Sequence, residues 1–104
     1  DFLRRIIRRF GWTDRVEVIT GDAAVLGRLD AWSRSTDAAV SRGFGPPDVT
    51  IRLSRPFVRP GGLVVLTDPP ADQGDRWSTR PPAGLERISA PGEPVVVWRV
   101  PLET

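Results

Sequence analysis

Two pairs of polar residues, each directly after a strand-like run, carry the side chains of this sequence best suited to bind a ligand. Ser41 and Arg42 end the first run, and Thr67 and Asp68 end the second. A helix begun by prolines and an Arg-Pro-Gly-Gly turn separate the runs, which together predict a strand–helix–strand (βαβ) unit. Ligands of such units bind beyond the carboxyl ends of the strands. We therefore expect any chemistry at the edge where these two pairs meet.

The residue types that are missing exclude several kinds of chemistry. The 104 residues include no Cys and no His, which excludes disulfides, Ser-His-Asp and Cys-His catalysis and most zinc sites. Carboxylate-bound Mg²⁺ or Ca²⁺ stays open, although no EF-hand spacing of acids is present, and we assign no metal ligand and no catalytic residue. All fifteen basic residues are Arg, and a net charge of +2 does not by itself argue for nucleic acid.

The hydropathy pattern predicts a soluble, cytoplasmic protein without a membrane partner. No apolar run approaches the roughly 20 residues that a membrane-spanning helix needs, and no secretory signal is visible. Because the sequence lacks an initiator Met and begins inside a helical pattern, we also expect it to be part of a longer chain.

The first forty residues predict two helices and two strands. Apolar residues at helical spacing predict a helix over residues 1–10. The β-branched run over residues 16–20 predicts a strand. Asp22 then caps a short helix over residues 23–29, and residues 37–41 follow as a second strand.

The remaining residues predict a helix, a buried strand and a β-hairpin. The helix begins at Pro46 and Pro47, and Pro56 ends or kinks it. Across the whole sequence, helices and strands alternate and an antiparallel pair of strands follows. This order indicates a three-layer α/β fold. The later segments are a tight turn over residues 59–62, a strand over 63–66, a long loop over 68–83 with one turn near 75–78, and hairpin strands within 85–90 and 95–102 that flank the turn 91–94.

In order and spacing, these segments resemble the C-terminal half of class I S-adenosylmethionine-dependent methyltransferases. The nearest pattern is the glucose-inhibited-division-B type, the bacterial methyltransferases of guanine in small-subunit ribosomal RNA. The resemblance covers residues 1–70; its Pro-Gly-Gly turn is common to many methyltransferases, whereas Arg-x-Phe after the family's fourth strand is more specific. The matching residues are Phe2 and Leu3, then Gly21, Asp22 and Ala23, then Ser41, Arg42, Gly43 and Phe44, then Pro60, Gly61 and Gly62.

The resemblance implies an incomplete Rossmann-like sheet. Residues 1–104 would supply family strands three to seven, the C-terminal half of one domain, with the glycine-rich loop and the acidic ribose-binding residue upstream. Strands one and two lie between strands three and four in the family sheet, so this chain alone would expose unpaired strand edges. We expect the upstream half of the domain as its partner, and we expect the chain alone to be inactive.

The resemblance also implies a place for S-adenosylmethionine. Gly21, Asp22 and Ala23 stand where similar proteins contact the adenine, and the Asp22 carboxylate would accept a hydrogen bond from its exocyclic amine. A plain helix N-cap is the alternative role of Asp22. The two roles are compatible, because one carboxylate has two oxygen atoms.

Arg42 would face the methyl-transfer cleft of such a protein. Its planar guanidinium suits the cofactor carboxylate, a substrate phosphate or a guanine edge. A structural salt bridge to Asp37 or Asp68 is the alternative. Phe44, two residues on, offers a stacking face for a base or the cofactor, or else packs in the core.

The substrate side of the cleft would include Asp68, Pro69, Arg76 and Trp77. Asp68 would orient an amine or hydroxyl of the acceptor, or else form a turn. Arg76 and Trp77 lie in the long loop, either as a lid for a flat or anionic substrate or as a loop anchor. The family has Lys-Gly where this chain has Asp68 and Pro69, and that departure leaves a small-molecule acceptor open beside RNA guanine.

Two functions from different classes therefore remain. The first is an S-adenosylmethionine-dependent methyltransferase, and the second is a non-catalytic RNA- or protein-binding module with the same fold. The basic side of the first helix bears on this choice, because it is either a nucleic-acid patch or an ordinary solvated face. Its members are Arg4, Arg5, Arg8 and Arg9.

Overall fold

A computed structural model of the chain describes residues 2–42, 47–67, 82, 84–89 and 95–102. Within these residues, helices and strands alternate along the first two thirds of the chain, and two antiparallel strands follow. The elements are α1 (Phe2–Arg9), α2 (Ala23–Leu26), β1 (Thr36–Ser41), α3 (Pro47–Ser54), a 3₁₀ turn (Arg55–Phe57), β2 (Val58–Thr67), β3 (Glu86–Arg87) and β4 (Val95–Arg99).

The described strands form one mixed sheet in the order β1-β2-β4-β3. β1 and β2 are parallel, with Ser41 opposite Leu66, and α3 connects them. β4 lies antiparallel to both β2 and β3. The predicted βαβ unit and the predicted terminal hairpin are thus both present, and the fold is α/β.

Proline and glycine positions explain where the helices end. α1 stops before Gly11, whose φ of 70° lies in the left-handed region. α3 ends at Ser54, and the chain continues as a 3₁₀ turn that contains Pro56, as predicted from the missing N–H of proline. α2 is shorter than the predicted 23–29, because the chain tightens after Leu26: the N–H groups of Arg28 and Leu29 donate to the carbonyl oxygens three residues back.

β2 is longer than the predicted strand over 63–66, and it contains the segment predicted as a tight turn. Thr36 pairs with Val58, and Ala38 pairs with Leu63. Two steps along β1 thus correspond to five steps along β2, so the extra residues of β2 form a bulge. The bulge stays in the sheet because it is bonded to the residue after β4. The N–H of Gly61 donates to the carbonyl oxygen of Val100 over 2.9 Å.

The prediction of a strand over residues 16–20 is wrong for the described structure. These residues adopt no regular structure, and most of their side chains are exposed. β propensity forms a strand only where a neighbour receives the backbone hydrogen bonds, and no described strand pairs with this segment. Its described side-chain contacts are weak instead, since Arg4 Nη2 lies 3.4 Å from the Val18 carbonyl oxygen and 3.5 Å from Thr20 Oγ1.

One face of the sheet carries the core. Side chains alternate along a strand, so residues in register on neighbouring strands share a face. Val64 and Leu66 of β2 face the same side as Trp98 and Val96 of β4, and Ile51 of α3 covers them. Among the described residues, the buried cluster consists of Ile51, Val58, Val64, Leu66, Val96, Trp98 and Val100.

The opposite face of the sheet is more open. Val40 of β1 is 74% exposed, and its neighbours in register, Val65 and Val97, are half-buried. β1 is also the outer strand of the described sheet. A helical layer on this face, which the three-layer fold requires, stays a prediction.

We expect Gly62→Ala to destabilise the fold by about 1–3 kcal/mol, because an added methyl has no room. A Cβ at this position would lie 2.5 Å from Val58 Cγ1 and 2.6 Å from the Asp37 carbonyl oxygen. Urea unfolding measures the loss. Gly21→Ala is the matched control, since its Cβ would meet only the flexible Leu26 side chain. Equal losses for the two variants would contradict the role assigned to the bulge.

Candidate functional site

The parallel pairing of β1 and β2 brings their carboxyl ends to the same edge of the sheet. Ser41 lies opposite Leu66, so Arg42 and Thr67 are the next residues along adjacent strands. This arrangement is the one predicted from the sequence, and both side chains are exposed at the edge.

Ser41 and Arg42 differ in their surroundings. Ser41 shares the core face with Leu66, and its Oγ is buried without a hydrogen bond to any described residue. A buried hydroxyl without a partner costs free energy, and such groups commonly meet a ligand or water. The strand end therefore holds one unsatisfied polar atom next to one exposed cation.

Asp37 is not the partner of Arg42. The Oδ1 atom of Asp37 accepts a hydrogen bond from Arg59 Nε over 2.7 Å, in an exposed ion pair at the start of the strand. Five residues of extended strand separate Asp37 from Arg42, a span of about 16 Å. The alternative of a structural salt bridge from Arg42 to Asp37 is thus wrong, because Asp37 pairs with Arg59 of β2 instead.

Asp22 has the geometry of a helix N-cap. Its backbone is extended, with φ −87° and ψ 122°, and its Oδ1 atom accepts a hydrogen bond from the Ala24 N–H over 2.8 Å. The structural role that the sequence offered for this residue is therefore present. Adenine contact by Gly21, Asp22 and Ala23 stays a prediction.

The structure joins some of the predicted site residues and not others. Arg42 lies at the shared strand edge, whereas no hydrogen bond or ion pair within the described residues links it to Gly21, Asp22 or Ala23. Gly27, at the end of the same short helix, approaches Pro56 near the start of β2. The remaining predicted site residues lie outside the described residues: Phe44, Asp68, Pro69, Arg76 and Trp77.

The described structure has two open concave surfaces whose lining residues do not include those of the strand edge. One is a cavity of about 450 Å³ beside β3 and β4, with Glu86, Arg99 and Leu102 in its wall. It lies toward the start of β2, because Leu102 packs near Gly61. The other, of about 260 Å³, is formed by α1. The sequence pattern of α1 was the available signal for the second surface, and no sequence signal pointed to the first.

The described residues contain neither a membrane-spanning helix nor a cluster of metal ligands. No described helix is long and apolar enough to cross a membrane. No three acidic side chains of the described ranges gather as ligands for a metal ion.

Comparison with known proteins relates the chain to a methyltransferase. No model of a protein family matches it. It is 31% identical over 74 residues to a ribosomal RNA small subunit methyltransferase G from Moorella thermoacetica. The match covers 71% of this chain and 30% of that protein, so the chain spans less than a third of its relative.

If the Asp22 carboxylate caps α2, Asp22→Ala accelerates amide hydrogen exchange at Ala24 by about fivefold, the equivalent of a typical N-cap. Asp22→Asn keeps an acceptor oxygen and leaves the exchange rate unchanged. Exchange followed by NMR compares the two variants with the parent chain. The same rate at Ala24 in all three proteins would show that the observed 2.8 Å contact does not hold the helix end.

Proposed function

We propose that this chain forms part of a class I S-adenosylmethionine-dependent methyltransferase of the glucose-inhibited-division-B type. The observation that carries the proposal is the match to the ribosomal RNA small subunit methyltransferase of Moorella thermoacetica. The mixed sheet supports it, because a parallel pair followed by an antiparallel pair fits family strands four to seven. The acceptor proposed from this relative is a guanine of small-subunit ribosomal RNA.

The residues available at the strand edge fit the chemistry that this cofactor supplies. When bound, S-adenosylmethionine provides a methyl group on a sulfonium, which is already a strong electrophile. The protein then needs mainly to bind, align and desolvate the acceptor, and His, Cys and Lys are dispensable for those tasks. The unsatisfied Ser41 hydroxyl and the exposed Arg42 offer one acceptor or donor and one cation for a polar, charged ligand.

Each candidate residue then has a role. Asp22 holds the adenine end with the carboxylate oxygen that does not cap α2. Arg42 binds a carboxylate or phosphate near the transferred methyl. On the acceptor side, Asp68 and Trp77 shape the pocket, with Pro69 as a rigid rim.

The domain is completed by an upstream half in this proposal. The segment over residues 16–20 would be family strand three, and the two upstream strands would lie between it and β1. Three features support such a partner: the β-branched segment without a described strand neighbour, the outer position of β1 in the described sheet, and the exposure of Val40. The 104-residue chain alone would then transfer no methyl group.

A small molecule is the second candidate acceptor. The specific observation in its favour is the sequence at the end of β2, where Asp68 and Pro69 replace the Lys-Gly of the family. A carboxylate at this rim repels phosphate, whereas a lysine attracts it. The cofactor and the fold are the same for both acceptors.

We expect S-adenosylmethionine to bind the full-length gene product, and Arg42→Ala to weaken binding about tenfold or more, since a hydrogen bond to a charged group is lost. Isothermal titration calorimetry measures both affinities. Arg52→Ala is the matched control, because it removes the same charge from an exposed position on α3. Saturable binding that ignores Arg42→Ala removes that residue from the site, and a folded product without binding favours the non-catalytic module.

We expect Val40→Thr to cost the full-length gene product about 1–2 kcal/mol of unfolding free energy, because the upstream half would bury this side chain. In the 104-residue chain, where Val40 is exposed, the same change costs less than about 0.5 kcal/mol. Val64→Thr is the control, since Val64 is fully buried and its replacement destabilises both proteins. A small effect of Val40→Thr in both proteins would contradict the completed sheet.

A further inference from the structure

The Ser41 hydroxyl is not explained by the packing of the sheet. The Ser41 side chain lies on the core face of β1, opposite Leu66 in register and in the same row as Ala39, which packs against the core. Its Oγ atom is buried and has no hydrogen bond to any described residue. A small apolar side chain such as that of alanine would pack equally well at this position.

A hydroxyl in this state lowers the stability of the protein. Burial removes it from water, and no hydrogen bond within the described structure compensates for that loss. Other half-buried hydroxyls of the chain do have partners. Thr36 Oγ1 donates to the Phe57 carbonyl oxygen over 2.6 Å, and Ser89 Oγ accepts from the Val97 N–H over 3.0 Å. Unsatisfied groups of this kind are rare and are commonly found at functional sites.

The proposed upstream half does not supply the missing partner. Its strands would pair with the backbone of β1 along the outer edge, in the plane of the sheet. The Ser41 side chain instead lies on the face that Ile51 of α3 covers within this chain. The place left for a partner is the end of the strand, beyond which ligands of such a sheet bind.

The charge beside Ser41 decides which ligand group suits its hydroxyl. Arg42 follows directly, is exposed and forms no ion pair with a described residue. The carboxylate of β1, Asp37, is paired with Arg59 at the opposite end of the strand. A guanidinium attracts an anion and repels an ammonium group. A ligand group at this end of β1 is therefore anionic, and its oxygen accepts a hydrogen bond from the Ser41 O–H.

We propose that Ser41 donates a hydrogen bond to the anionic group that Arg42 binds, and that its hydroxyl has no partner in the protein because it serves this ligand. The two side chains leave the strand on opposite faces, so the anion lies across the end of β1. The shared chemistry is that of a carboxylate, as in the amino-acid end of S-adenosylmethionine, or of a phosphate of the acceptor. The inference deepens the proposed function and rests on it for the identity of the ligand.

The test is Ser41→Ala in the full-length gene product, examined by calorimetric titration and by thermal unfolding. For a cofactor carboxylate, we expect the variant to bind S-adenosylmethionine about tenfold more weakly, because a hydrogen bond to a charged group is lost. Without ligand, the variant unfolds about 2–4 °C above the parent, because the unsatisfied hydroxyl is gone.

Ser89→Ala is the matched control, because the hydroxyl of this half-buried serine is used within the protein. Its loss leaves the Val97 N–H without the Ser89 acceptor, which lowers the unfolding temperature and leaves the affinity for S-adenosylmethionine unchanged. If Ser41→Ala also lowers the unfolding temperature, the Ser41 hydroxyl has a structural role and the proposal is overturned.

Two further ligands separate the two sources of the anion. 5′-Methylthioadenosine keeps the adenosine of the cofactor and lacks its carboxylate, so Ser41→Ala leaves the affinity for this analogue unchanged if Ser41 binds the carboxylate. If Ser41 binds a substrate phosphate instead, Ser41→Ala removes the rise in unfolding temperature that inorganic phosphate gives the parent. Responses to S-adenosylmethionine and to phosphate that both match the parent overturn the proposal.

The same titrations separate this inference from the proposed enzyme. If the parent binds S-adenosylmethionine and Ser41→Ala binds it and phosphate equally well, the role of Ser41 is contradicted and the methyltransferase stands. If a folded parent binds no S-adenosylmethionine but binds phosphate in a manner that depends on Ser41, the methyltransferase is contradicted and the anion site stands.

Discussion

The backbone of β2 needs hydrogen-bonded neighbours on both sides, and the rest of the described structure depends on meeting that need. Val64 and Leu66 of this strand are fully buried. Because water does not reach the strand there, its N–H and C=O groups need hydrogen-bond partners within the protein. β1 supplies partners along one edge and β4 along the other. α3 connects β1 to β2 and covers the core face with Ile51, so the same connection that allows parallel pairing also closes the core.

The same requirement explains the parts of the chain that do not form regular structure. Residues 16–20 have the composition of a strand, but no described strand receives their backbone hydrogen bonds. β1 has a partner on one side and is the outer strand on the other. An exposed β edge is a site for further pairing. The strand-forming segment and the open edge of β1 are two features that the proposed upstream half would explain, since its strands would pair with both.

Local signals in the sequence predicted the elements whose cause is local. The spacing of apolar residues in α1, the stop at Gly11 and the effect of Pro56 on α3 depend on a few neighbouring residues, and all three are confirmed. The bulge at Gly61 is different, because it stays in the sheet through a hydrogen bond to Val100, 39 positions away. The strand predicted over 16–20 failed for a related reason, since strand formation depends on a distant partner.

The residues of the candidate site can also be separated into those predictable from local sequence and those that depend on distant residues. The edge that joins Arg42 to Thr67 followed from the βαβ pattern alone, because parallel strands end on the same side. The partner of Asp37 did not follow, since Arg59 lies 22 residues away in the sequence and the pairing of β1 with β2 brings the two side chains together. The cap at Asp22 was predictable from its position before an apolar run, whereas a second role toward adenine depends on a ligand and has no local signature.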